Sequence, residues 1–94
     1  SMDRFQWVDI SPQPDRAITT NQGKAVELIV LDYFIPGYHF IDWCPKLLQA
    51  FPDARLIAVS SSPSRSDRTN ALKSGADAFF EKHTRARRTR TKSE

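Results

Sequence analysis

One cysteine, Cys44, is the chain's whole supply of thiol. That rules out an intramolecular disulfide and a cysteine cage for zinc. Histidine is nearly as scarce, and His39 and His83 are too isolated from each other to suggest a metal site. The glycines, Gly23, Gly37 and Gly75, never cluster into a loop that cradles phosphates. No unbroken apolar run is longer than Leu28 to Leu31, far short of a membrane span or a signal-peptide core. No nucleophile–base pair and no internal repeat is visible, so an independent enzyme is not expected. A cytoplasmic location is the default for a chain with this cysteine usage.

What is present is a body and a tail of opposite charge. Ninety-four residues allow one small domain with a modest core. Residues 82–94 hold six Lys/Arg against Glu94, a net +5, whereas residues 1–81 hold eight Lys/Arg against ten Asp/Glu, a net −2. Residues 84–94, TRARRTRTKSE, have almost no apolar side chain and read as a disordered basic tail. Charge alone suits that tail to an acidic partner or to non-specific contact with nucleic acid. It has no interleaved aromatics and no recognition helix, so sequence-specific readout is not expected.

Along the body, short apolar runs alternate with helical patterns. Phe5 to Ile10 reads as a strand with two partly apolar faces, broken by Ser11-Pro12-Gln13-Pro14. A weak helix is expected over Asp15 to Lys24, then a buried strand over Val26 to Asp32, ended by the Pro36-Gly37 turn. From Phe40 to Phe51, the residues Ile41, Cys44, Leu47, Leu48 and Phe51 fall on one helical face. Pro45 is admissible there if Asp42 caps the helix, because Pro45 then lies in the first turn. Leu56 to Val59 is a further buried strand. Ser64 or Ser66 caps a helix over Asp67 to Ser74, closed by Gly75, and Ala76 to Glu81 is a last strand. The order β-α-β-α-β-α-β predicts a parallel sheet with flanking helices and right-handed crossovers.

A parallel sheet gathers the carboxyl ends of its strands on one edge. Asp32, Ser60 and Lys82 stand at three such ends. A carboxylate can accept a phosphoryl group, while a hydroxyl and an ammonium hold its oxygens. At this point the sequence resembles the receiver domain of two-component response regulators. The resemblance is carried by Asp32 in LDYFIPG, Ser60 at the end of LIAVS and Lys82 at the end of ALKSGADAFFEK, at the family's spacing. It covers Phe5 to Lys82, and it implies an α/β, flavodoxin-like parallel sheet with flanking helices.

The resemblance makes Asp32 the phosphoacceptor, Ser60 the hydroxyl that follows the phosphoryl group and Lys82 its ion-pair partner. Phe79 becomes the switching aromatic, and the Phe34 backbone carbonyl a magnesium ligand. It implies a receiver-like domain over residues 3–83, served by a histidine kinase or phosphotransfer protein. The departures are as definite. The best alignment leaves out the family's first strand, first helix, acidic pair and last helix, and His83 stands where proline is usual. A second alignment makes Phe5 to Asp9 the first strand, with Asp9 as one acid. Either way magnesium has a thin ligand set. An incomplete sheet leaves edges and apolar surface open, so a swapped or edge-paired homodimer is expected. The alternative function is a degenerate receiver that is never phosphorylated and serves as an interaction or dimerisation module.

Overall fold

The computed structural model describes residues 13–82. The strand expected at Phe5–Ile10, with Asp9 in it, lies outside the described residues, as do His83 and the basic tail. In chain order the described elements are α1 (Pro14–Thr20), β1 (Leu28–Asp32), β2 (Phe34–Ile35), β3 (Tyr38–His39), α2 (Phe40–Ala50), β4 (Arg55–Ser60), α3 (Arg65–Lys73) and β5 (Ala78–Glu81). β1, β4 and β5 form a parallel sheet in that order, and β2 and β3 form an antiparallel hairpin. The architecture is α/β and flavodoxin-like, with three parallel strands among the described residues.

Register decides which face carries the core. Leu31 lies beside Ala58 and Ala58 beside Phe79, so these three share one face. Leu31, Leu56, Ala58 and Phe79 are all buried there, against Cys44 and Leu47 of α2 and Ala71 of α3. On the opposite face Val30 lies beside Ile57, Ile57 beside Ala78, and Val59 beside Phe80. Among the described residues nothing covers that face: Val30 is 52% and Phe80 56% exposed. The described helices line one side of the sheet. A parallel sheet ordinarily has both sides covered.

The helix ends follow their local chemistry. α1 starts at Pro14, whose fixed φ suits a first turn and whose missing N–H costs nothing there. α3 starts earlier than the sequence implied, at Arg65. The Asp67 carboxylate accepts a hydrogen bond from the Ser64 N–H at 2.8 Å, satisfying a donor that would otherwise be orphaned. At its other end Ala76 N–H donates to Ala71 O and Gly75 N–H to Leu72 O, both at 3.2 Å. This Schellman closure places Gly75 at φ 119°.

α2 corrects the sequence reading in two ways. Its N-cap is His39, not Asp42, so Pro45 stands inside the helix rather than in its first turn. The missing Pro45 N–H leaves the Ile41 carbonyl without its intrahelical partner; both residues are exposed, and the helix continues. The earlier start also rotates the face. Phe40, 5% exposed, takes the core position expected of Ile41, which is 55% exposed. Phe40, Cys44, Leu47 and Phe51 then form the buried stripe. The β2–β3 hairpin was not foreseen, since two-residue strands leave no periodic signal. Its turn is Pro36-Gly37, with Gly37 at φ 84° as a type II turn requires.

Candidate functional site

Asp32, Ser60 and Lys82 converge on one edge of the sheet. β1 ends at Asp32, which lies beside Val59 in register, and β4 ends at Ser60, beside Glu81. Two backbone bonds carry the pairing past the strand ends: Tyr33 N–H donates to Val59 O at 2.7 Å, and Lys82 N–H to Ser60 O at 2.8 Å. These bonds fix the positions from which the side chains project.

The Asp32 carboxylate is held from two directions. Lys82 Nζ donates to Oδ2 at 2.7 Å, and the Phe34 N–H donates to Oδ1 at 3.1 Å. The ion pair is half-open to solvent, with side-chain exposures of 42% for Lys82 and 35% for Asp32. A pair this exposed contributes no more than about 1 kcal/mol to stability. Its value is positional, since it keeps a cation and a reachable carboxylate in contact. Ser60 is fully buried, and its Oγ accepts a hydrogen bond from the Ser62 N–H at 3.3 Å. Phe79 is buried at 6% exposure, and its carbonyl accepts a hydrogen bond from Arg68 of α3 at 3.4 Å. The arrangement can present a carboxylate oxygen to an electrophile with an ammonium beside it.

A divalent cation would find few ligands here among the described residues. Among the described residues no group of three His, Cys, Asp or Glu comes together. Asp32 supplies one carboxylate, and both its oxygens already accept hydrogen bonds. With the Phe34 carbonyl, that would make two protein ligands among the described residues, for an ion that prefers about six oxygens.

Sequence reasoning missed Tyr33. Its ring stacks on Phe40, centroids 5.0 Å apart, and meets Phe79 edge-on at 6.0 Å and Phe34 edge-on at 4.9 Å. The signal for it was its place immediately after Asp32, one step round the strand and hence on the core face. Trp43 is half-buried, with Tyr38 edge-on at 5.5 Å and the Lys46 ammonium 4.3 Å from its ring. Tyr38 in turn donates to Asp15 Oδ1 at 2.8 Å, tying α1 to the hairpin. Cys44 is buried in helix packing, as expected. No described helix is long and apolar enough to cross a membrane.

Comparison with known proteins agrees with this geometry. No protein-family model matches the chain. In sequence it is 30% identical over 71 residues to a putative two-component response regulator, ARR13, from Arabidopsis thaliana. The match spans 73% of this chain but 12% of that much longer protein. In structure it resembles a response regulator from Burkholderia pseudomallei, solved with a phosphorylated aspartic acid, calcium and citrate. The TM-score is 0.74 at 23% identity, covering 86% of this chain and 48% of that one. A CheY-like receiver domain from Methanospirillum hungatei gives a TM-score of 0.71 at 20% identity, covering 86% and 65%. The chain is therefore related to the response regulators of two-component systems, and its described part has the receiver-type fold.

Proposed function

We propose that the chain is a signalling receiver in a two-component phosphorelay, with Asp32 as phosphoacceptor. The observation that carries this is the Asp32–Lys82 contact of 2.7 Å at the sheet's carboxyl edge, beside the buried Ser60. An Asp32 oxygen attacks the phosphorus of a histidine kinase, a phosphotransfer protein or a small phosphodonor. The bond from phosphorus to its leaving group breaks, the leaving group departs with that electron pair, and an aspartyl phosphate remains. Lys82 stands where it can hold the transferred oxygens, and Ser60 and Phe79 answer the added charge. With so poor a ligand set for magnesium, the ammonium supplies the charge compensation at this edge.

The chain acts in this reading as a module without independent catalysis, over residues 3–83 and in the cytoplasm. The basic run 84–94 serves as an appendage for acidic partners. The bare sheet face and the single paired edge of β1 among the described residues support a homodimer, swapped or edge-paired. A folded monomer by light scattering would remove that part.

Intact mass after incubation with acetyl phosphate, with and without magnesium, tests the central claim. One phosphoryl adduct, absent from Asp32→Asn, is the expected result. Folded protein that takes up none refutes it and leaves the unphosphorylated interaction module, which the poor cation site favours.

A further inference from the structure

We infer that Tyr33 is the positioning residue of this site and couples Asp32 to the start of α2, not to the α3–β5 side alone. The inference deepens the phosphoryl reading and rests on it. Tyr33 follows Asp32 directly, and its backbone is pinned to β4 by the bond to Val59. Strand alternation turns its ring to the covered face, where Ser60 and Phe79 also lie. Three rings are then in series: Phe79 meets Tyr33 edge-on at 75°, and Tyr33 stacks on Phe40 at 28°. Phe40 is the first residue of α2.

The interior leaves these rings little freedom. Phe79, Phe40 and Ser60 are 6%, 5% and 0% exposed. Ser60 lies on the central strand between the strands that lead to Tyr33 and Phe79. Interiors are close-packed, so a displacement of Ser60 toward Asp32 opens a void that neighbouring rings must fill. Phe79 cannot change place without losing its edge-on contact with Tyr33. Tyr33, fixed at its backbone, can respond only through its side chain, which rests on Phe40.

The series ends at a surface. Phe34, edge-on to Tyr33 at 4.9 Å, is 60% exposed, and Ile41 beside Phe40 is 55% exposed.

The test reads the far end of the series, because coupling is a property of two ends. Two-dimensional amide NMR of the full chain is recorded while beryllofluoride, a phosphoryl mimic, is added in magnesium buffer. In the unmodified protein, shifts are expected around Asp32, at Ser60 and Phe79, and across Phe40–Leu47. Tyr33→Leu keeps the shifts around Asp32 and loses those in α2, while Tyr33→Phe keeps both. Shifts in α2 that persist in Tyr33→Leu, or unmodified-protein shifts confined to α3 and β5, overturn the inference. No shift around Asp32, with Asp32→Asn behaving identically, removes the phosphoryl reading and this inference with it. If Tyr33→Leu does not fold, Phe40→Leu breaks the series one ring further on and is read the same way.

Discussion

Gly75→Ala is the substitution whose cost the structure specifies most closely. Gly75 lies at φ 119°, beyond the left-handed well that side chains occasionally enter, and alanine there costs about 2 kcal/mol. A Cβ would also stand 3.0 Å from Leu48 Cδ1 and 3.9 Å from Cys44 Sγ. The Leu48 tip is the far end of a flexible side chain, so it yields by leaving its rotamer, at about 1 kcal/mol. The expected total is about 3 kcal/mol, more than half of the roughly 5 kcal/mol that a domain this small can be expected to have.

Gly23→Ala is the internal control. It has φ 82° and nothing within 4 Å of its Cβ, so only backbone strain applies, about 1 kcal/mol. Urea unfolding separates the two. With a slope of about 1 kcal/mol per molar, the midpoint falls by about 3 M for Gly75→Ala and about 1 M for Gly23→Ala. A Leu48→Ala background removes the packing share, leaving a coupling of about 1 kcal/mol between positions 48 and 75. Equal midpoints for the two glycine variants, or full additivity in the double mutant, would refute the reasoning. The position matters to the site because this turn launches β5, which carries Phe79 and leads into Lys82.

Two other predictions concern buried groups. Burial, helped by the charge of Asp77, pushes the Cys44 thiol up to about 11, whereas an unfolded thiol ionises near about 8.5. Across that interval the folded state holds a proton that the unfolded state has lost. The contribution is therefore intact below the lower value and falls away as pH rises toward the upper one. Urea midpoints at rising pH should drop more steeply in the unmodified protein than in Cys44→Ala, and an aromatic disulfide reagent should reach Cys44 only on unfolding. Asp77 makes a paired contact with Leu56: its carboxylate accepts from Leu56 N–H and its own N–H donates to Leu56 O, both at 2.8 Å. Asp77→Ala orphans the Leu56 N–H and should cost about 1–3 kcal/mol by the same unfolding assay. A loss within error of zero would mean that water replaces the carboxylate freely.

The parts of the site that were legible in sequence are those that end an apolar run. Asp32, Ser60 and Lys82 each follow a stretch readable as a strand, and parallel topology alone brings such ends to one edge. Residues whose placement depends on other elements were harder. Phe40 and Ile41 compete for one core position, and the winner is set by a helix start that lacks a side-chain cap bond. Pro45 then pointed to a later start than the one adopted, because tertiary burial of Phe40 outweighs one missing hydrogen bond. Tyr33 was missed because its partners come from β5, α2 and the hairpin, and no local pattern unites them. Open apolar surface was expected from the missing helix, but not which residues carry it: Val30 and Phe80 read as core by type, and only the placing of the described helices on one side exposes them.

The strand order has a consequence in time as well as in space. Along the described sheet each strand pairs with the one before it in the chain, so each pairing closes a single crossover. Growth can then proceed one strand at a time, without a later segment having to insert between strands already joined, so that each step closes the loop of one crossover. The Lys82–Asp32 contact spans 50 residues yet reaches Asp32 only through β4, on which β5 is laid. An intermediate that has joined β1 to β4 already has the carboxylate in place and still lacks its cation. The ion pair is thus a clock for the final step: its appearance in a refolding experiment marks the docking of β5, and with it the moment at which the site first exists.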